Sequence, residues 1–138
     1  MTNRIKGNLI GKGLRIGIVM SRFNSEITEG LLRGAIRSLI ASDVSEKDID
    51  VIEVPGAFEI PFALDTLAFT ENYDALIALG CVIKGETAHF EYISNSAITG
   101  ICTVGNEYGI PIACGVLTTY TEEQATARSG DALLGETT

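Results

Sequence analysis

Four short apolar runs, alternating with stretches whose apolar residues return every three or four positions, restrict the fold of this chain more than any other feature. The runs are Leu14 to Met20, Asp50 to Val54, Ala75 to Leu79 and Ile112 to Leu117. Their length suits strands, and the first is apolar almost throughout, as in a parallel sheet covered on both faces. Between them Ile27, Leu31, Ala35, Leu39 and Ile40 form one helical stripe, and Leu64, Leu67 and Ala68 a second. Phe90, Ile93, Ala97, Ile101, Val104 and Tyr108 form a third. Strand and helix therefore alternate, which predicts an α/β three-layer sandwich: a parallel sheet of four core strands flanked by helices.

Punctuation along the chain agrees. Asn24 or Ser25 can cap the first helix, and Pro61 suits the first turn of the second, where its missing N–H costs nothing. Gly109 ends the third helix and Pro111 blocks its continuation. Thr121 with Gln124 three residues on is a capping box, opening a last helix that stops at Gly130. Ile5 to Leu9 is either an N-terminal strand or an arm docking on a neighbour.

The 138 residues are read as one domain, 1–138, large enough to bury most of its apolar surface. No apolar run is long enough to span a membrane, and the N-terminus lacks the apolar core of a signal peptide, so a cytoplasmic protein is expected. A formal charge of -8 argues against a nucleic-acid partner, which calls for a basic face. Hydrophobic residues make up 46%, which either a generous core or subunit interfaces would explain. The cysteines Cys81, Cys102 and Cys114 are odd in number and lack C-x-x-C spacing, so neither a zinc site nor a disulfide framework is expected. Cys102 in a helix and Cys114 in a strand are expected to be buried thiols.

The stretch Gly80 to Tyr92 is the candidate chemical centre. It reads as strand, glycine-bounded loop and helix N-terminus, and in open parallel sheets ligands sit beyond the carboxyl ends of the strands. Free amides of a first helical turn favour an anion. Gly85 lets the main chain approach, Thr87 offers a hydroxyl, Lys84 supplies positive charge, and His89 is the only histidine. Gly80 and Gly85 have Walker A spacing, but Glu86 stands where that motif needs lysine, so a nucleoside triphosphate site is rejected. His89 is either a proton carrier or an idle exposed histidine. Cys81 could be a nucleophile, although no activating base neighbours it in sequence. Phe23 is either core packing or a ring that stacks on a planar substrate. Glu59 either accepts from substrate hydroxyls or complements a helix dipole.

Taken together, four segments resemble the lumazine synthase family. They are Ser21-Arg22-Phe23-Asn24, Pro55 to Pro61, Gly80 to Phe90, and Gly115 to Thr119 with Gln124, Ala125 and Arg128. The resemblance runs from about Ile5 to Gly130 and implies a flavodoxin-like sandwich. It also implies a transferase of riboflavin biosynthesis that condenses 5-amino-6-(D-ribitylamino)uracil with 3,4-dihydroxy-2-butanone 4-phosphate to 6,7-dimethyl-8-ribityllumazine, releasing phosphate and water. No cofactor and no metal are implied. Phe23 would stack on the pyrimidine; Ala57, Phe58 and Glu59 would hold the ribityl chain; Cys81, Val82 and Ile83 would line the ring site through backbone groups. Glu86 and Thr87 would bind the butanone phosphate through helix N-terminal amides, Glu86 with its side chain turned away and Arg128 as countercharge. His89 would shuttle protons. The resemblance further implies a site between subunits of a pentamer, with decamers or icosahedral shells as larger assemblies, the Ile5–Leu9 arm adding a strand to a neighbouring sheet, and riboflavin synthase as a candidate partner.

Two positions depart from the family pattern. Cys114 stands where phenylalanine usually reaches the ring of the neighbouring site, so weaker pyrimidine binding is expected. Asp131 to Thr138 has neither the usual lysines nor room for a further amphipathic helix, which predicts reduced stability and altered assembly if that ending is native. Two other readings stay open. One is a catalytically weakened or inactive member acting as a self-assembling scaffold that binds flavin-like ligands. The other is a flavodoxin-like mononucleotide binder.

Overall fold

The computed structural model describes residues 1–130 of the chain. The expected alternation is present: β1 (Ile16–Ser21), α1 (Ser25–Ala41), β2 (Ile49–Val54), α2 (Ile60–Phe69), β3 (Ala75–Ile83), α3 (His89–Tyr108), β4 (Ile112–Thr119) and α4 (Glu122–Ala127). Short 3-10 turns, Glu46–Asp48 and Ala57–Glu59, precede β2 and α2. The strands form one parallel sheet in the order β2-β1-β3-β4. The Ile5 to Leu9 segment has no regular structure and lies open to solvent, with Ile5 99% and Leu9 85% exposed.

Side-chain alternation along each strand sorts the core into two layers. Val19, Leu76, Ala78, Val82 and Val116 face α2 and α3, where they meet Ile60, Leu64, Ala97, Ile101 and Val104. Ile16, Ile18, Met20 and Leu79 face α1 and meet Leu31, Leu32, Ala35, Ile36 and Leu39. Toward the carboxyl end, Cys81, Ile83 and Leu117 pack with Ile27 of α1 and Ala125 of α4. Fully buried side chains such as Leu64 and Ile60 each contribute about 1.5–3 kcal/mol by burial. Close helix approach depends on Gly100, where a β-carbon would lie 2.6 Å from Cγ of Pro61.

Three details correct the sequence reading. Ile36, not Ile40, joins the α1 stripe; Ile40 is 47% exposed. Strand β3 does not stop at Leu79 but continues through Ile83, because Gly80 to Ile83 pair with Val116 to Thr119 of β4. Cys102 and Cys114 are exposed rather than buried. Cys114 lies on β4, the edge strand of the sheet among the described residues, and Cys102 follows Ile101 onto the outward side of α3. Gly109 ends α3 as expected, with φ 63° in the left-handed region. The expected shortfall of the C-terminal segment falls on residues 131–138, outside the described residues.

Candidate active site

Strand order places the site. The crossover from β1 leads to β2 on one side, and the chain then returns to β3 on the other, so the sheet has its switch point between β1 and β3. Three loops at the carboxyl ends of these strands border a cleft of about 540 Å³, a size suited to a small organic ligand. Phe23 comes from the end of β1, residues 55–59 from the end of β2, and Cys81, Val82 and Ile83 from β3 itself. Gly85, Thr87 and His89 approach from the loop into α3, with Phe90 and Ile93 below them.

Phe23 and Phe58 are 71% and 58% exposed, so both rings are available to a ligand rather than spent in the core. Phe23 is held by its backbone, its N–H donating to Pro55 O at 3.0 Å. Ala57 is buried. Glu59 lines the cleft, and its Oε1 accepts from the N–H of Gly56 at 2.9 Å, closing the 3-10 turn. A carboxylate has further acceptor capacity beyond that one bond.

Cys81 is 3% exposed, and burial pushes its thiol up to about 11. A thiol raised in this way stays protonated at neutral pH, which argues against the nucleophile reading. Its backbone is what engages the site: the carbonyl accepts from Nδ2 of Asn24 at 3.0 Å. Asn24 does occupy the N-cap of α1, yet its side chain makes no cap bond there. Val82 is buried toward α2 and α3, and Ile83 is half-buried toward α1 and α4.

The remaining wall is more open. His89 is the first residue of α3, Ala88 is its N-cap, and Oγ1 of Thr87 accepts from the N–H of His89 at 3.4 Å. The amides of Glu86 and Thr87 thus precede the helix rather than belonging to its first turn. Glu86 is exposed and does not line the cleft. Lys84 does not line it either: its N–H donates to Thr119 O at 2.9 Å, and Nζ lies 5.6 Å from the ring centroid of Tyr120. Tyr120 in turn meets Phe90 with ring centroids 6.2 Å apart. Arg128 caps α4 on the surface, where Nη1 donates to the carbonyl of Gln124 at 2.9 Å. The capping box holds in modified form, since Gln124 N–H donates to Thr121 Oγ1 while Oε1 of Gln124 accepts from Tyr120 N–H.

Cys114 faces a second cleft, of about 360 Å³, between α3 and the edge strand β4, shared with Cys102 and Ile112. Of the site residues expected from sequence, the fold brings together Phe23, Ala57, Phe58, Glu59, Cys81, Val82, Ile83, Thr87 and His89. It leaves Glu86, Arg128 and Cys114 outside this cleft. Phe90 and Ile93, read as core positions from their helical spacing, line the cleft as well. Their place just after the loop was the available signal. Among the described residues, no group of three or more His, Cys, Asp or Glu side chains could hold a metal ion. No helix there is long and apolar enough to cross a membrane.

The family model described as 6,7-dimethyl-8-ribityllumazine synthase matches residues 13–137. A 6,7-dimethyl-8-ribityllumazine synthase of Nitrosomonas europaea is 55% identical over 127 residues, covering 92% of this chain and 77% of that protein.

Proposed function

This chain belongs to the 6,7-dimethyl-8-ribityllumazine synthase family, and we propose that the cleft is where it condenses 5-amino-6-(D-ribitylamino)uracil with 3,4-dihydroxy-2-butanone 4-phosphate. The convergence of Phe23, residues 57–59, the 81–83 backbone, Thr87 and His89 on one cleft carries this reading. The pyrimidine is flat and polar at its edges, so it suits an exposed phenylalanine face on one side and strand backbone on the other. Ribityl hydroxyls reach Glu59, whose carboxylate forms charge-assisted bonds with them. The phosphate lies by the loop at Gly85 and Thr87, where glycine allows close backbone approach. The 5-amino group attacks the butanone carbonyl to give an imine with loss of water, phosphate is eliminated, and the ribitylamino nitrogen closes the ring on the remaining carbonyl with loss of a second water. His89 carries protons among these steps, a task suited to imidazole near neutral pH. Much of the acceleration comes from holding two reactants in contact.

A homo-oligomeric, pentameric assembly accompanies this reading, with decamers or icosahedral shells as its larger forms. Its support is the residues left outside the cleft: Arg128 and Cys114 do not line it, and in this reading they serve a neighbouring copy's site. Phe62 and Phe69, 80% and 75% exposed on α2, are apolar surface of the kind that interfaces cover. The protein works in the cytoplasm, and riboflavin synthase is the partner that takes up its product.

The test mixes purified protein with both substrates and follows lumazine formation by absorbance and fluorescence. His89→Ala and the uncatalysed reaction serve as controls. Rapid product formation, slowed in the variant, supports the synthase reading. Product no faster than background would turn the reading to a scaffold that binds flavin-like ligands.

A further inference from the structure

Strand β1 is paired on both sides for most of its length, but the two pairings end differently. With β2 the register runs to Ser21 and Val54, and it is prolonged by Arg22 N–H to Val54 O at 2.8 Å and Phe23 N–H to Pro55 O at 3.0 Å. With β3 it stops at Met20 and Leu79. The end of β1 therefore follows β2 and parts from β3, and this parting opens the cleft between Phe23 and the 81–83 backbone. One side chain reaches back across the gap: Nδ2 of Asn24 donates to the carbonyl of Cys81 at 3.0 Å, joining residues 57 apart in sequence.

Two further observations bear on Asn24. Its backbone is left-handed, with φ 63° and ψ 49°, a region that disfavours residues with a β-carbon but admits asparagine more readily than most. Its position also calls for an acceptor to cap α1, yet the side chain makes no cap bond; its backbone carbonyl accepts from Ile27 and Thr28 N–H instead. The residue thus forgoes its usual local bond and keeps an unfavourable backbone while its amide spans the opening.

We propose that Asn24 is a positioning residue for the pyrimidine substrate, fixing the separation between the Phe23 ring and the Cys81–Ile83 backbone by its bond to Cys81. The inference rests on the synthase reading above for the identity of the ring, but the tether itself does not. A ring held between two walls is sensitive to their spacing, and a small misplacement is expensive in rate or affinity. The butanone phosphate, on the far wall at Gly85 and Thr87, lies beyond this tether.

Two variants separate the bond from the backbone conformation. Asn24→Asp keeps the shape and the tolerance for left-handed φ but replaces the donor with an acceptor facing a carbonyl. Asn24→Gly relieves the backbone and removes the donor. Both are expected to raise KM for the pyrimidine about three- to tenfold, as loss of one hydrogen bond would, with KM for the butanone phosphate within about twofold of wild type. Amide hydrogen exchange, measured without substrate, is expected to quicken in residues 81–83 in both variants and to stay unchanged in residues 16–20 and 85–88. Unchanged pyrimidine KM in both variants, equal changes for the two substrates, or unchanged exchange in residues 81–83 would each overturn the proposal. A wild-type protein that makes no product would instead remove the synthase reading, and the exchange measurement would still decide the tether.

Discussion

The two ends of the sheet are built from opposite materials. At the amino end, polar groups close on one another. The N–H of Arg15 donates to Oδ2 of Asp74 at 2.8 Å and its Nε to the carbonyl of Asn72 at 3.1 Å, while its guanidinium lies 3.6 Å from Asp48 and 3.8 Å from Asp50. The hydroxyl of Tyr73 donates to Asp50 at 2.6 Å. At the carboxyl end, aromatic rings stand exposed, a carboxylate keeps acceptor capacity, and the exposed His89 lines the cleft. One end holds bonds already made; the other presents groups to be used. Substitutions at the carboxyl end should therefore change turnover with little change in stability, and substitutions at the amino end the reverse.

The strongest challenge to this division is Arg128→Ala. If Arg128 is the phosphate's countercharge, as the proposed function has it, its removal is expected to lower kcat/KM about 10- to 100-fold, read by steady-state kinetics with the butanone phosphate varied. Because the side chain is exposed, the melting temperature should hardly move. A large fall in melting temperature with intact kinetics would break the comparison. Phe23→Ala comes next: loss of a stacking face should raise the pyrimidine KM about tenfold, measured with the second substrate saturating. Cys114→Phe works in the opposite direction and should tighten pyrimidine binding a few-fold through added ring contact, roughly the size of one aromatic pair. Unchanged affinity would remove Cys114 from the site.

At the amino end Tyr73→Phe should cost about 1 kcal/mol, or about 4 °C in melting temperature, with kcat/KM unaltered. The smallest effect is a pH dependence at the same place. Burial first, and then the hydrogen bond and charge of Asp50, push Tyr73 up to about 12 from 10.0. The folded value exceeds the unfolded one, so the contribution is complete below pH 10.0 and is lost as pH rises toward about 12. Melting curves across that range should fall for wild type and flatten for Tyr73→Phe. Tyr108, raised by its bond to Asp65, adds a drift of the same sign.

Periodicity made most of this architecture legible before any coordinates. The apolar runs and the three-and-four spacing placed β1, β2, β4 and α1 to α3, and proline and glycine marked where α2 begins and α3 ends. The carboxyl half of β3 was not legible, because Gly80 and the polar residues after Ile83 suggest a loop, and only pairing with β4 keeps the chain extended. Cys102 and Cys114 misled for a related reason: apolar character predicts burial, but edge position and helix facing are set by tertiary order. In the site, residue types offered Phe23, Glu59 and His89 only as candidates, and the fold brings the three to one cleft. The partner of Asn24 was hidden, since nothing local to an asparagine announces a carbonyl 57 residues away.

The place of β1 at the middle of the sheet has a consequence for synthesis. This strand is made before both of its partners, β2 and β3: Ile16 pairs with Ile49 and with Ala75. Until those segments have been translated, a run of residues suited to burial on both faces has no edge to join, and pairing over such distances is intrinsically slow. Short apolar strand segments left unpaired invite association between nascent chains. Arg15 and Arg22 stand immediately before and after Ile16–Ser21. Charges in those flanking places are of the kind that oppose such association while a central strand has nothing to pair with.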